Sequence, residues 1–157
     1  TINKHYLELQ RAVHPDRHAS SSSRDKLLAV QNAAEINDAL QTLKHPVKRA
    51  EYMLSELGVD IRAEQQTLQD PLFLMQQMEL REELEELENA ADPDAAIAQF
   101  EAQIKQLDKQ YSSELAAQLA SNDEQQWQAA ADNIRKLKFV YKLRDELERI
   151  EDSLFDD

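Results

Sequence analysis

Cysteine is absent from the sequence, glycine occurs once and proline four times. Without cysteine the chain has no disulfide bond, no nucleophilic thiol and no thiolate ligand for a metal. With so little glycine and proline, the tight turns of a β-rich fold are hard to build. No apolar run approaches the roughly 18 residues that a membrane span requires, and no signal-peptide pattern opens the chain. We therefore predict no membrane partner.

Helix-forming residues dominate what is present. The 157 residues are 41% hydrophobic and 31% charged, and this length suits one domain of ordinary size or two small ones. Ala, Leu, Glu, Gln and Lys are abundant, whereas β-branched residues are few. The composition predicts an all-α fold.

Charge divides the chain into two unlike parts. Residues 1–58 carry eight Lys and Arg against seven Asp and Glu, whereas residues 59–157 carry ten against 24. A near-neutral part beside a strongly acidic part suggests two modules with different partners. The acidic part lacks the clustered cations that phosphate contacts need, so we predict no nucleic-acid partner.

The first module reads as three helices. An apolar stripe at three- and four-residue intervals predicts an amphipathic helix over residues 2–13, and Pro15 should end it at His14. Helical spacing continues over residues 24–44, and Pro46 suits the first turn of a further short helix that Gly58 would stop. The stripe of the first helix consists of Ile2, Tyr6, Leu9 and Val13.

The second module reads as three longer helices. Residues 59–69 have the composition of a linker, after which Asp70-Pro71 and Asp92-Pro93 are matching start signals, a capping carboxylate followed by proline at the first helical position. The predicted helices span about 71–90, about 93–120 and, capped by Asp123, up to about 153. Short breaks between long helices predict an antiparallel three-helix bundle over residues 70–157.

The first helix of this bundle has two apolar faces. At roughly 100° per residue, one sector of the wheel contains Phe73, Leu80, Leu84 and Leu87. A second sector, roughly 150° away, contains Leu74, Met75 and Met78. Because one helix of such a bundle buries one face, the second face either binds another protein or packs against the preceding helices.

The tripeptide His14-Pro15-Asp16 raises the question of catalysis. A general base and its orienter need a nucleophile or oxyanion site converging on them, and the sequence offers neither. His14 and His18 have a spacing that suits a metal, but Pro15 breaks the helix that would align them. We therefore predict neither an enzyme nor a metal site; an incidental histidine in an ordinary loop is the remaining alternative to a binding surface.

The surroundings of the tripeptide resemble a J domain, the module with which DnaJ-type co-chaperones engage DnaK-type chaperones. The resemblance covers residues 1–57, where a helix with cationic residues leads into the tripeptide and a polar loop follows. The residues at matching spacings beyond the loop are Ile36, Asn37, Ala39, Leu40, Leu43, Pro46, Arg49 and Tyr52. The J-domain family begins with one more helix, so the resemblance implies a J domain over residues 1–58 that is truncated at its start and lacks its first helix.

The second module resembles the C-terminal domain of the HscB family, the bacterial J-type co-chaperones of iron–sulfur cluster assembly. The resemblance lies in FLMQQMELREELEELE and WQAAADNIRKLKFVYKLRDELE, and no glycine- and phenylalanine-rich or cysteine-rich segment of a general DnaJ follows the J domain. It implies a bacterial cytoplasmic co-chaperone that binds the scaffold IscU, delivers it to the DnaK-type chaperone HscA and stimulates the ATPase of HscA. It implies no cofactor in this chain. A J-domain co-chaperone with an unrelated client is the alternative.

The resemblance also assigns roles to individual residues. The chaperone-binding residues would be His14, Pro15, Asp16, Lys4, His5, Arg11 and Arg17. The scaffold-binding residues would be Leu74, Met75, Met78, Glu79, Arg81, Glu82 and Phe139, although Phe139 equally suits the bundle core.

Overall fold

The computed structural model describes residues 1–14, 22–59, 61 and 70–155. Within these ranges the regular structure is helical and contains no β-strand, which confirms the predicted all-α fold. The helices are α1 (Ile2–Val13), α2 (Ser23–Lys44), α3 (Pro46–Glu56), α4 (Pro71–Glu86), α5 (Pro93–Ala120) and α6 (Glu124–Phe155). None of the described helices is both long and apolar enough to cross a membrane.

Contacts divide the chain into two compact units, an N-terminal unit of Thr1–Met53 and a C-terminal unit of Leu54–Asp157. The division falls inside α3, after Met53, which is the eighth of its 11 residues. The domain boundary that charge and the J-domain resemblance place at residue 58 stays a prediction. The predicted linker, residues 59–69, lies mostly outside the described residues.

In the N-terminal unit, α1 pairs with α2 partly through polar side chains. The Tyr6 hydroxyl donates to Asn37 Oδ1 at 2.6 Å, and Gln10 Nε2 donates to the same oxygen at 2.9 Å. Ile2 and Leu9 of the predicted stripe are exposed, so the stripe is only partly covered. Two paired helices cover only the line along which they meet.

Gly58 has the backbone conformation that the sequence predicts for a helix stop. Its φ of +88° lies in the left-handed region, which glycine adopts without the steric cost of a Cβ. The Gly58 amide donates to the Ser55 carbonyl at 3.0 Å, and the Val59 amide donates to the Leu54 carbonyl at 2.8 Å. These bonds satisfy carbonyls that the end of α3 would otherwise leave unpaired.

In the C-terminal unit, both predicted start signals cap their helices. Asp70 Oδ1 accepts from the Phe73 amide at the start of α4, and Asp92 Oδ1 accepts from the Ala95 amide at the start of α5, each at 3.2 Å. The end of α4 differs from the prediction, because the helix stops at Glu86 and continues as a 3-10 turn over Leu87–Asn89. The turn still buries Leu87, so the tighter winding extends the apolar face.

The core of the C-terminal unit lies along α5 and α6. Its side chains with almost no exposure are Phe100, Ile104, Ile134, Leu137, Val140 and Leu143. Each contributes roughly 1.5–3 kcal/mol by burial. Asn133 is the one buried polar residue of the described chain, and its Nδ2 donates to Gln118 Oε1 at 2.8 Å. Trp127 of α6 is half-buried, and its indole N–H donates to the Ser121 carbonyl at 2.8 Å.

Candidate functional site

Helix α4 presents two apolar faces, as the helical wheel predicts. Phe73, Leu80 and Leu84 are buried on one face. On the other face, Leu74 is 41% exposed, Met75 is 59% exposed and Met78 is 66% exposed. We call these three residues the α4 patch. Because exposed side chains of this size are normally scattered singly, three of them on one side of one helix mark a candidate binding surface.

Aromatic packing fixes the face that α4 turns outward. The Phe73 ring meets Tyr111 of α5 edge-on with centroids 6.1 Å apart, and meets Phe139 of α6 edge-on at 5.8 Å. Such edge-to-face pairs contribute about 0.5–1.5 kcal/mol beyond their buried area. Rotating α4 to hide the α4 patch would separate both pairs, so the bundle core positions the exposed surface.

The start of α4 is held by an ion pair with α6. Lys136 Nζ lies 3.2 Å from Asp70 Oδ2 and 5.5 Å from the centroid of the Phe73 ring. The hydrogen bond from the Phe73 amide lowers the pKa of Asp70 below its ordinary value of 3.8, and the hydrogen bond from the Lys136 ammonium lowers it further. Asp70 therefore stays ionised at neutral pH and serves both as the helix cap and as the partner of Lys136.

Tyr111 connects the middle of α5 to α4. Its hydroxyl donates to Gln76 Oε1 at 3.3 Å. Burial raises the pKa of Tyr111, and the negative charges of Glu114 and Asp70 raise it further. The phenol thus keeps its proton at neutral pH and remains a hydrogen-bond donor.

Arg81 of α4, one helical turn after Met78, contacts Phe139 of α6. The Arg81 guanidinium stacks over the Phe139 ring at 5.5 Å, and its Nη1 lies 3.3 Å from Glu146 Oε2. Phe139 is half-buried and contacts Phe73, so it takes part in packing the bundle while one part of its surface is accessible. Glu79 and Glu82, the remaining predicted scaffold-binding residues, are exposed.

Leu72 belongs beside the α4 patch, although the wheel argument left it out. It is 79% exposed, more than any other large apolar side chain of the described chain. With Met75, Gln76 and Glu79 it lines a shallow groove that continues to Glu114 of α5. Its position one turn before Met75 was the signal that could have identified it.

The structure places part of the predicted chaperone-binding set on α1. Lys4, His5 and Arg11 are exposed, and His5 Nδ1 lies 4.0 Å from Glu8 Oε2. His14 is exposed and follows the last residue of α1, with backbone angles of −57° and 133° that end the helix as predicted. Pro15, Asp16 and Arg17 lie outside the described residues, so the geometry of the tripeptide and of its cationic flank stays a prediction.

Comparison with known proteins gives the same family for both parts of the chain. A family model described as the HSCB C-terminal oligomerisation domain matches residues 69–148. The co-chaperone protein HscB homolog of Photobacterium profundum is 57% identical over 157 residues, which cover 99% of this chain and 89% of that protein. The homolog of Vibrio vulnificus strain YJ016 is 51% identical over 154 residues, with 98% and 88% covered.

Solved structures agree with the sequence relatives. The chaperone HscB from Vibrio cholerae superposes with a TM-score of 0.89 at 54% identity, covering 98% of this chain and 89% of that one. Human co-chaperone protein HscB superposes with a TM-score of 0.82 at 24% identity, covering 95% and 72%, and this likeness shows the common fold. High identity to bacterial relatives along almost the whole chain, together with the match of the C-terminal family model, shows that the chain belongs to the HscB family of co-chaperones.

Proposed function

We propose that this co-chaperone binds the iron–sulfur scaffold protein IscU through its C-terminal unit, delivers it to the DnaK-type chaperone HscA and stimulates the ATPase of HscA through its N-terminal unit. The exposed α4 patch, held outward by a packed bundle, is the observation that carries the proposal. The chain acts by binding in the bacterial cytoplasm, and the chemical steps take place on its partners.

Scaffold binding would bury the α4 patch beneath the client. Leu74, Met75 and Met78 supply apolar area, and each such side chain contributes up to roughly 1.5–3 kcal/mol when fully buried. The flexible thioethers of methionine adapt to an imperfectly matched surface. Exposed Glu79 and Glu82 would form a polar rim that orients the client through charge.

Chaperone stimulation would depend on the end of α1 and the tripeptide after it. Lys4 and Arg11 are exposed on α1 and would steer an acidic surface of HscA toward the tripeptide, an effect that salt weakens. Asp16 would accept a charge-assisted hydrogen bond from an arginine of HscA, while Pro15 restricts the backbone beside it.

Isothermal titration of IscU into the triple variant Leu74→Ala, Met75→Ala and Met78→Ala tests the scaffold site. We expect the affinity to fall about tenfold to hundredfold, because the apolar anchors of the contact are removed. The double variant Leu27→Ala and Leu28→Ala is a matched control, since both residues are exposed apolar side chains of the N-terminal unit. Unchanged affinity of the triple variant would instead favour a co-chaperone with an unrelated client.

A single-turnover ATPase assay with HscA, with and without IscU, tests the second part of the proposal. The unaltered chain should accelerate ATP hydrolysis, and His14→Gln should remove the acceleration. No acceleration by the unaltered chain would contradict the proposal.

A further inference from the structure

All the sulfur of this chain is in methionine, and most of it lies on one surface. The sequence contains no cysteine and three methionines. Met75 and Met78 belong to the α4 patch and are 59% and 66% exposed, whereas Met53 is 41% exposed and lies in the N-terminal unit. A thioether exposed to this degree is open to attack by a small oxidant.

The two thioethers of the α4 patch lie one helical turn apart on the same side of α4. Leu74 extends the same exposed surface toward the start of the helix. Because both sulfur-bearing side chains are more than half exposed, an oxidant in solution can reach either of them. The buried face of α4 uses no methionine, since Phe73, Leu80 and Leu84 fill it. Oxidation can therefore change the surface without entering the core.

We propose that Met75 and Met78 form an oxidation-sensitive pair, and that their conversion to methionine sulfoxide by hydrogen peroxide releases the client. The sulfur lone pair attacks one peroxide oxygen, the O–O bond breaks, and the departing hydroxide takes the proton from the oxygen now bound to sulfur, giving the sulfoxide and water. Sulfur is oxidised by two electrons, peroxide is reduced by two, and one S–O bond forms. The inference rests on the proposed function, because the client is the IscU of that proposal.

The polarity of the product explains the release. A sulfoxide oxygen is a strong hydrogen-bond acceptor, and burying a polar group without a partner is unfavourable. A client surface that packs against two apolar thioethers does not need hydrogen-bond donors at these two points, so the sulfoxide oxygens would be buried without partners. Methionine sulfoxide reductases restore the thioether with reducing equivalents from thiols, so the change is reversible.

The test compares IscU binding by the purified full chain before and after treatment with hydrogen peroxide, with peptide mass spectrometry to locate each sulfoxide. We expect Met75 and Met78 to be modified before Met53, and the affinity for IscU to fall about tenfold or more. The double variant Met75→Leu and Met78→Leu keeps an apolar surface without sulfur and should bind IscU equally before and after treatment. Met53→Leu is the matched control and should remain sensitive.

Each remaining outcome has a definite meaning. Sulfoxides on Met75 and Met78 with unchanged affinity, or loss of affinity in the peroxide-treated double variant, would overturn this inference alone. Modification of Met53 before the other two would overturn it as well. Failure of the untreated unaltered chain to bind IscU would overturn the proposed function and this inference together. If the untreated double variant binds poorly, the single variants Met75→Leu and Met78→Leu replace it, and each should lose part of the sensitivity.

Discussion

Asp70 illustrates how much one side chain can do at the start of a helix. Its carboxylate accepts from the Phe73 amide with one oxygen and pairs with Lys136 through the other. The second contact lies between α4 and α6, so the residue that begins α4 also attaches it to the bundle. The sequence identifies the capping role from the Asp-Pro pair, but it gives no sign of the Lys136 contact, because 66 residues separate the partners.

The lowered pKa of Asp70 predicts how its contribution depends on pH. The unfolded chain holds the Asp70 proton more tightly than the folded chain, so the contribution is complete above the ordinary pKa of 3.8 and is lost as pH falls through the lower folded value. Asp70→Asn keeps a capping oxygen but loses the charge. Urea denaturation gives the free energy of unfolding of the unaltered chain and of Asp70→Asn. The difference between them should be constant from about pH 7 to 5 and should shrink below about pH 5. A difference that grows on acidification would contradict the assignment.

Truncation of two adjacent residues should affect different properties, stability for Phe73 and IscU binding for Leu74. Phe73→Ala removes a buried ring and should lower the free energy of unfolding by about 3–5 kcal/mol, since the ring contacts both Tyr111 and Phe139. Leu74→Ala should change it by about 0.5 kcal/mol or less while weakening IscU binding. Urea denaturation measures both, and equal destabilisation would mean that the α4 patch belongs to the core.

The burial of side chains on α4 was predictable because the spacing of apolar residues within this one helix separates its two faces. The wheel separated Leu74, Met75 and Met78 from the buried face, and their exposure confirms that separation. The same arithmetic cannot show that Arg81 stacks on Phe139, since this contact depends on how α4 and α6 pack. Whether these residues bind IscU stays a prediction.

At the scale of elements, helix starts were easier to predict than helix ends or contacts. The capping carboxylates of Asp70 and Asp92 mark the starts of α4 and α5 directly. The change from α-helix to 3-10 turn after Glu86 has no residue signal of that kind, because no glycine or proline lies there. Part of the α1 stripe is likewise exposed although its spacing is helical as predicted, because exposure depends on packing between helices and not on the period alone.

Removing the N-terminal cap of α5 should lower the stability of the protein by a measurable amount. Asp92→Ala leaves the Ala95 amide without its bond at 3.2 Å, and we expect the free energy of unfolding to fall by about 0.5–2 kcal/mol. Asp92→Asn is the matched control and should retain most of the stability, since asparagine caps as well as aspartate. Chemical denaturation at neutral pH measures both variants, and an equal loss in the two would show that charge rather than the cap bond matters.

At the scale of the whole molecule, the predicted sites lie in separate units. His14, Lys4 and Arg11 belong to the N-terminal unit, and the α4 patch belongs to the C-terminal unit. The uneven charge of the sequence indicated two modules, but the contact division at Met53 lies within α3 and could not be read from charge. A continuous helix conceals such a division because its local pattern does not change.

Separate sites predict separable defects. His14→Gln should leave the affinity for IscU unchanged within about twofold while removing stimulation of HscA. The triple alanine variant of the α4 patch should stimulate HscA normally when IscU is absent. Titration calorimetry and the single-turnover assay measure the two properties on the same preparations. Loss of both properties in either variant would mean that one site serves both partners.

The hydrogen bond from Trp127 to the Ser121 carbonyl gives the C-terminal unit its own optical reporter. Trp127 is the single tryptophan of the chain, and its indole is fixed at the turn between α5 and α6. Indole emission therefore follows the melting of this unit alone, whereas far-ultraviolet circular dichroism follows the helices of both units. Coincident thermal transitions by the two probes would indicate one cooperative molecule, and separate transitions would indicate two independently folding units.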